Sequence, residues 1–254
     1  MIYYFSGTGN SKWVAETLAD RTHDSAVKIA DISKEENILI KKDSVFGLVF
    51  PVYAWNCPEI VSEFLKRVNL EKGAYSYAVC TCGEEAGLVM SVLKARIGIC
   101  SGFSVVMPNN YIVAGDVDDE DEALKKVREA DRLLDSIALS INVREKGRFD
   151  VNKGKIAVIK TFAASHFFNK YARSAKPFTT SYDCIGCGLC ESVCPTQNIV
   201  LADGMPFWDD KCQQCFACIH RCHERAIDYG KFTKKKGRYY FNYTQEQIKG
   251  DQNV

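Results

Sequence analysis

The sequence opens with MIYYFSGTGNSK at residues 1–12, and this stretch decides the fold of the first part of the chain. Residues 1–5 form a short apolar run of β-formers that stops at small polar residues and two glycines. From Trp13 onward, apolar residues recur three and four apart, which is the periodicity of a helix. A strand, a glycine-containing loop and a helix start direct several backbone N–H groups at one place. Because a helix N-terminus also carries partial positive charge, residues 6–11 are predicted to bind a phosphate.

Strand-like runs and helical stripes alternate along the first 150 residues. Six acidic residues within 116–122 favour the start of the last helix, and Gly98 is a stop signal for the helix before it. This alternation predicts a parallel sheet covered by helices on both faces. The five predicted strands lie at residues 1–5, 26–32, 44–52, 75–81 and 102–108.

Ligands of such sheets bind beyond the carboxyl ends of the strands. This rule brings together three loops, at residues 6–11, 51–56 and 81–87. The first supplies hydroxyls, an amide and backbone N–H groups, and the second supplies Tyr53 and Trp55 as planar surfaces. The third contains glycines that allow a ligand to approach the backbone. The alternatives are an ordinary βα turn at the first loop and two aromatic residues that merely cover the end of the sheet.

SGTGNS after an opening strand, aromatic residues after the third strand and a glycine-containing loop after the fourth resemble the flavodoxin family over residues 1–147. The resemblance implies an α/β fold with a flavodoxin-like five-stranded parallel sheet, and a bound FMN. The first loop would hold the phosphate, and the other two would line the isoalloxazine. The implied FMN-binding residues are Ser6, Gly7, Thr8, Gly9, Asn10, Ser11, Pro51, Val52, Tyr53, Ala54, Trp55, Asn56, Thr81, Cys82, Gly83 and Gly87.

A duplicated cysteine motif is the strongest signal in the chain. DCIGCGLCESVCP at residues 183–195 and KCQQCFACIHRCH at residues 211–223 both have the spacing C-x₂-C-x₂-C-x₃-C, offset by 28 residues. Three cysteines at this spacing wrap one face of an iron–sulfur cubane, and the fourth ligand comes from elsewhere. Structural zinc is the alternative, but zinc sites usually use paired C-x₂-C knuckles separated by a spacer.

The motif resembles the two-cluster bacterial-type ferredoxins over residues 179–230, which implies a small α+β domain with two [4Fe–4S] clusters. In that family the fourth cysteine of each run binds the other cluster. His223 departs from the proline that the family has after this cysteine, and it is either a tolerated substitution or a group that affects the cluster. The implied ligand sets are Cys184, Cys187, Cys190 and Cys222 for one cluster, and Cys212, Cys215, Cys218 and Cys194 for the other.

The remaining four cysteines are expected to be unreactive. Cys80 and Cys100 are predicted to fill the core. Cys57 and Cys82 lie near the predicted flavin, but no neighbouring residue in the sequence is expected to lower the pKa of either thiol.

Charge divides the chain into four predicted parts: an FMN-binding domain at 1–150, a basic linker with an amphipathic helix at 151–178, the two-cluster domain at 179–230, and a basic, aromatic tail at 231–254. Residues 151–180 carry six basic residues and no acidic ones, whereas the two domains are acidic. The linker is predicted to dock between the acidic domains through Phe162, His166, Phe167 and Tyr171. An amphipathic element on a membrane surface is the alternative. The tail is predicted to lie on a domain as a strand pair or to bind an acidic redox partner.

The whole chain resembles a flavodoxin–ferredoxin fusion of the kind found in anaerobes. This resemblance implies an electron-transfer protein that relays single electrons between two [4Fe–4S] clusters and FMN. No catalytic acid or base is evident, so an enzyme is the less favoured interpretation. The alternatives are a flavin reductase that acts on a quinone, a nitro compound or dioxygen, and a redox-sensing module. The expected partners are redox proteins and a second copy of the chain, without nucleic acid. We expect a cytoplasmic protein without a membrane span, because the sequence shows no long apolar segment and no signal peptide.

Overall fold

The computed structural model describes residues 1–32, 34, 37–168 and 173–250. Parallel strands form the centre of its N-terminal part. They are β1 (Ile2–Tyr4), β2 (Ala26–Lys28), β3 (Ile38–Ile40), β4 (Val45–Pro51), β5 (Val68–Leu70), β6 (Tyr75–Cys82), β7 (Ser101–Val106) and β8 (Phe149–Asp150). Six of them make one parallel sheet in the order β2-β1-β4-β6-β7-β8, and β3 pairs with β5 beside it. The predicted α/β fold with a large parallel sheet is confirmed.

Helices cover both faces of this sheet. They are α1 (Asn10–Arg21), α2 (Glu59–Leu65), α3 (Val89–Ile97) and α4 (Glu120–Asn142), with a short 3₁₀ turn at Ile29–Asp31. One apolar cluster packs α1 and α4 against the sheet, and a second cluster packs α2 and α3 against the opposite face. Asp119 caps the start of α4 by accepting a hydrogen bond from the Glu122 N–H, and Gly98 ends α3 in the left-handed conformation. Both predicted helix signals therefore act as expected.

The strand count differs from the five predicted. β8 adds a sixth strand of two residues to the edge of the sheet, and β3 and β5 are three residues each. Strands this short contain too few alternations to give a periodic signal. The second predicted strand also ends early, because the chain turns at Ile29–Asp31.

The C-terminal part repeats a short helix followed by a strand. Its elements are β9 (Phe178–Thr180), α7 (Leu189–Ser192), β10 (Ile199–Ala202), β11 (Met205–Trp208), α8 (Ala217–Arg221) and β12 (Ile227–Tyr229), and α5 and α6 precede them in the linker as given below. α7 and α8 begin 28 residues apart, as do β10 and β12. β9 pairs antiparallel with β12, and β10 pairs antiparallel with β11. The duplication seen in the sequence is thus also a duplication of structure.

The linker forms one helical segment, which we call the linker helix. It consists of α5 (Ala157–Ile159), a π-helical turn (Lys160–Ala164) and α6 (Ser165–Phe167). The prediction of its packing face was wrong. Thr161 and Ser165 are buried, whereas Phe162, His166 and Phe167 are exposed. Tyr171, the other predicted packing residue, lies outside the described residues.

The tail packs on the N-terminal part, as one of its two predictions stated, but without a strand pair in residues 231–250. Its short helix α9 (Gln245–Lys249) contacts α4, and Ile248 joins the core between the sheet and α1. Phe241 stacks on Trp13 with ring centroids 5.0 Å apart, and its N–H donates to the Thr8 carbonyl (2.9 Å). The tail therefore covers the loop that follows β1.

Candidate functional site

A cavity of about 800 Å³ lies where the strands of the large sheet end. Its volume falls within the usual range of small-molecule sites, about 300–1,000 Å³. The three predicted loops all contribute to its lining, as the strand-end rule requires. The predicted residues that line it are Asn10, Pro51, Val52, Tyr53, Ala54, Trp55, Thr81, Cys82 and Gly83.

Seven other predicted residues lie outside this lining: Ser6, Gly7, Thr8, Gly9, Ser11, Asn56 and Gly87. Two of them bond to side chains in the lining. The Asn110 amide donates to the Thr8 hydroxyl, and the hydroxyls of Ser11 and Thr81 share a hydrogen bond of 2.7 Å. The loop after β1 therefore backs the cavity wall.

The start of α1 reaches the cavity at Asn10. Gly9 precedes it with a φ of 100°, and no side chain caps the helix there. The first-turn N–H groups of a helix without a side-chain cap suit an anionic ligand. The donor chemistry at this end of the cavity thus fits a phosphate.

A tight turn presents the aromatic residues of the second loop. Tyr53 and Asn56 exchange two backbone hydrogen bonds of 3.0 Å, and Ala54 and Trp55 between them both have positive φ. A left-handed conformation is unfavourable for such residues and is often found at functional sites. The Lys160 ammonium lies 5.2 Å from the Trp55 ring centre and 2.5 Å from Glu85, whose pKa this hydrogen bond lowers. The linker helix therefore closes one side of the cavity.

A fourth loop, after β7, also lines the cavity, although sequence reasoning did not include it. Pro108, Asn109, Asn110 and Tyr111 belong to this lining, and Asn10 donates to the Pro108 carbonyl (3.0 Å). The strand-end rule applied to the fifth predicted strand would have found this loop.

The second copy of the cysteine motif forms another wall of the same cavity. Gln214, Cys215 and Phe216 line it, so a predicted cluster ligand and the predicted flavin loops share one space. Gly7 lies directly against this wall, because a Cβ added there would be 2.7 Å from the Cβ of Cys215. No periodicity or motif in the sequence indicates this contact.

His220 ties the second copy to both the fourth loop and the tail. Its Nδ1 accepts from the Tyr239 N–H (3.1 Å), so its Nε2 carries the proton and donates to the Asn110 carbonyl (2.9 Å). The Tyr239 hydroxyl in turn donates to the Asn10 side chain (2.6 Å). Three separate segments of the chain are thereby held around the cavity.

Each predicted set of four cysteines lines one smaller cavity. Cys184, Cys187, Cys190 and Cys222 surround about 240 Å³, together with His223. Cys194, Cys212, Cys215 and Cys218 surround about 20 Å³, together with Trp208. No three or more His, Cys, Asp or Glu side chains of the described residues form a group that could hold a single metal ion. The cysteines meet in the two sets that the ferredoxin resemblance implies, and their role as ligands stays a prediction.

The polar groups around the cysteines fit iron–sulfur clusters. Backbone N–H groups donate to the sulfurs of Cys194 (3.2 Å), Cys212 (3.3 Å) and Cys222 (3.4 Å). The buried indole N–H of Trp208 lies near the Cys218 sulfur and has no other hydrogen-bond partner among the described residues. Because Trp208 lines the cavity of the second set, a cluster sulfur there would give this N–H an acceptor.

Three of the four cysteines outside the motif have thiol pKa values above the usual range. Burial raises the pKa of both Cys57 and Cys82 to about 12, and it also raises the pKa of Cys80. Thiols with raised pKa values contain little of the nucleophilic thiolate at neutral pH. The expectation that Cys57 and Cys82 are not redox-active agrees with these shifts.

Comparisons with known proteins support the iron–sulfur motif. The family model described as "4Fe-4S binding domain" matches residues 181–200. No curated protein matches the chain. A solved structure described as a "Putative flavoprotein" from Bacteroides uniformis is 14% identical and covers 42% of this chain and 88% of its own, with a TM-score of 0.34. The chain therefore carries a 4Fe–4S binding motif, which indicates iron–sulfur electron transfer. No helix within the described ranges combines the length and apolarity needed to cross a bilayer.

Proposed function

We propose that the chain transfers single electrons between two [4Fe–4S] clusters and an FMN bound in the cavity at the strand ends. When bound, the clusters would exchange single electrons and the FMN would hold one or two. The observation that carries the proposal is Cys215, which belongs to the second cysteine set and also lines the large cavity.

The lining of the large cavity supports a flavin. Tyr53, Trp55 and Tyr111 offer flat apolar surfaces, and the amide side chains of Asn10 and Asn109 add polar groups to the lining. The uncapped start of α1 suits the phosphate. FMN is therefore proposed in preference to a dinucleotide, whose usual G-x-G-x-x-G loop the sequence lacks.

The difference in burial between the two cysteine sets supports an order for the two clusters along the electron-transfer path. Cys187 of the first set is exposed, whereas Cys212 and Cys218 of the second set are buried. The first cluster would therefore exchange electrons with a protein partner, and the second would connect it to the flavin. On this proposal residues 1–150 bind FMN and residues 179–230 bind the clusters, while the tail packs with the first of these units.

Counting the cofactors tests the composition. We expect anaerobically purified protein to contain about eight irons, eight labile sulfides and one flavin per chain. Acid release and chromatography identify the flavin. A colourless preparation that contains zinc would contradict the cluster assignment, and a flavin-free chain with full iron would contradict only the FMN assignment.

Rapid mixing with a reduced ferredoxin under anaerobic conditions tests the path. In Cys215→Ser we expect the first cluster to be reduced while flavin reduction slows strongly, because the link at the cavity wall is removed. In Cys187→Ser we expect electron uptake from the protein donor itself to slow. Flavin reduction at the wild-type rate in Cys215→Ser would contradict this path. Steady turnover of a quinone or a nitro compound would favour the flavin reductase instead.

A further inference from the structure

The linker helix has its polar and apolar faces reversed relative to an ordinary surface helix. Thr161 and Ser165 face the protein and are 1% and 3% exposed. Four large apolar side chains point outward and are about 60% exposed: Ile156 66%, Val158 62%, Ile159 62% and Phe162 59%. A surface helix normally buries its apolar stripe. An outward apolar face of this kind marks an interaction site.

The inner face of the helix is held firmly in this orientation. The Thr161 hydroxyl accepts from the Leu88 N–H (2.9 Å). Gly87 leaves room for it, since a Cβ there would be 2.6 Å from the Thr161 Oγ1. The Lys160 ammonium is paired with Glu85 (2.5 Å). Turning the helix to bury Ile159 and Phe162 would break all these contacts, so the apolar face remains outward.

The charge around this face identifies its occupant. Residues 151–180 contain six basic and no acidic residues. Lys153, Lys155 and Lys176 are exposed, and none forms an ion pair with a described residue. An apolar helix face flanked by lysines is typical of segments that lie in the interface of an anionic membrane. A second copy of the chain would bring the same uncompensated positive charges together, which disfavours a symmetric contact.

We propose that the linker helix and the residue before it bind the surface of an anionic lipid bilayer through Ile156, Val158, Ile159 and Phe162. The helix lies along the membrane interface, and the exposed Lys153 and Lys155, which precede it in the chain, contact the lipid headgroups. Because Lys160 and Phe167 also line the large cavity, the membrane would lie against the wall of the proposed flavin site. This proposal does not depend on which cofactors the chain binds.

Vesicle sedimentation tests the proposal with the full-length holoprotein. The probes are vesicles of pure phosphatidylcholine and of an equimolar mixture with phosphatidylglycerol. We expect binding to the mixed vesicles and much weaker binding to the neutral ones. High salt should weaken the binding because it screens the lysines.

A pair of double variants tests the face itself. Ile159→Glu with Phe162→Glu should lower vesicle binding by about tenfold or more, because two apolar contacts are lost. Leu139→Glu with Val143→Glu is the control: these residues are 67% and 74% exposed, and the charge change is equal. Iron content and circular dichroism check that both variants fold.

Three outcomes would overturn the proposal. The wild type could fail to bind anionic vesicles, or both double variants could bind equally well. In the third outcome, light scattering would show that the wild type and the control variant are dimers, whereas the Ile159→Glu, Phe162→Glu variant is a monomer. That result would assign the face to a second copy of the chain. A wild-type protein that binds only anionic vesicles, with binding lost selectively in the linker variant, supports the membrane.

Discussion

The two copies of the cysteine motif share a backbone but differ in their surroundings. Gly186 and Gly188 of the first copy have φ values of 67° and 75°. The equivalent residues of the second copy, 28 positions later, are Gln214 and Phe216, and both have a φ of 53°. The cysteine loop thus has the same left-handed positions in both copies. Only the first copy fills them with glycine, the residue that adopts this conformation without strain.

Contacts with the rest of the molecule explain the difference. Phe216 is 2% exposed and packs against Tyr111, Phe178 and Tyr229. The Gln214 amide donates to the Tyr229 hydroxyl (2.7 Å). A left-handed non-glycine residue costs about 1–2 kcal/mol, and burial of a phenyl ring more than offsets this. In the first copy, Tyr182 and Ile185 are instead exposed. The second copy therefore packs against the rest of the molecule, whereas the first copy is exposed to solvent.

Removal of the buried Phe216 ring should have the largest effect on the stability of the protein. We expect Phe216→Gly to lower the free energy of unfolding by about 2–4 kcal/mol, since the cavity it creates outweighs the relief of backbone strain. Urea unfolding of the holoprotein measures this. Ile185→Ala in the first copy should change stability by less than about 0.5 kcal/mol. Equal losses in the two variants would show that the copies do not differ in this way.

A side chain added at Gly7, where the second copy of the motif packs against the loop after β1, should have the second-largest effect on stability. In Gly7→Ala the new Cβ meets Cys215, so we expect a loss of about 1–3 kcal/mol and a lower flavin content. Gly83→Ala is the matched control for stability alone, because its Cβ would come no closer than 3.7 Å to Asn109, whereas Gly83 itself lines the proposed flavin cavity. Thermal unfolding and the flavin-to-protein ratio provide the measurements. Tolerance of Gly7→Ala would contradict the close approach.

Loss of the Trp208 indole N–H should affect only the second cluster. We expect Trp208→Phe to make the potential of that cluster more negative, on the order of tens of millivolts, because one hydrogen-bond donor to sulfur is removed. An anaerobic redox titration followed by electron paramagnetic resonance separates the two clusters. A shift of the first cluster, or of neither, would refute the contact.

The ion pair that fastens the second copy to α2 should have the smallest effect. Arg173 bonds to Glu59 and also donates to the Cys212 carbonyl (3.2 Å). Its hydrogen bond lowers the pKa of Glu59, which is half exposed, so the pair contributes about 0.5 kcal/mol. This stability is present above the unfolded-state pKa of about 4.3 and is lost as pH falls through the lower folded-state value.

We therefore expect the stability difference between wild type and Glu59→Gln to be largest near neutral pH and to shrink in acid. Both proteins lose stability in acid when their clusters are released, and this shared loss cancels when the two are compared at the same pH. Urea unfolding at several pH values provides the measurement. A difference that does not change with pH would exclude a contribution from the charge of Glu59.

Sequence patterns within short segments predicted the individual helices and strands better than they predicted the contacts between distant segments. Periodicity predicted the alternating sheet and helices, and the resemblance to two-cluster ferredoxins implied which cysteines meet. The roles of Gly7 and Gly87 could not be derived in this way. Both belong to loops predicted for flavin, yet Gly7 makes room for Cys215 and Gly87 for Thr161. Contacts between distant segments depend on complementary shape, which leaves no periodic trace in either segment.

The contact between the tail and the first loop also has a consequence for synthesis. Tyr239 bonds to Asn10 across 229 residues of chain. At the usual speed of translation the loop emerges from the ribosome about 10–50 s before the tail. Throughout that interval the N-terminal sheet can form with its first loop uncovered on the side of Phe241. In each newly made molecule the first loop is therefore uncovered for a time. In the finished molecule this loop becomes uncovered again only when residues 237–243 detach from it.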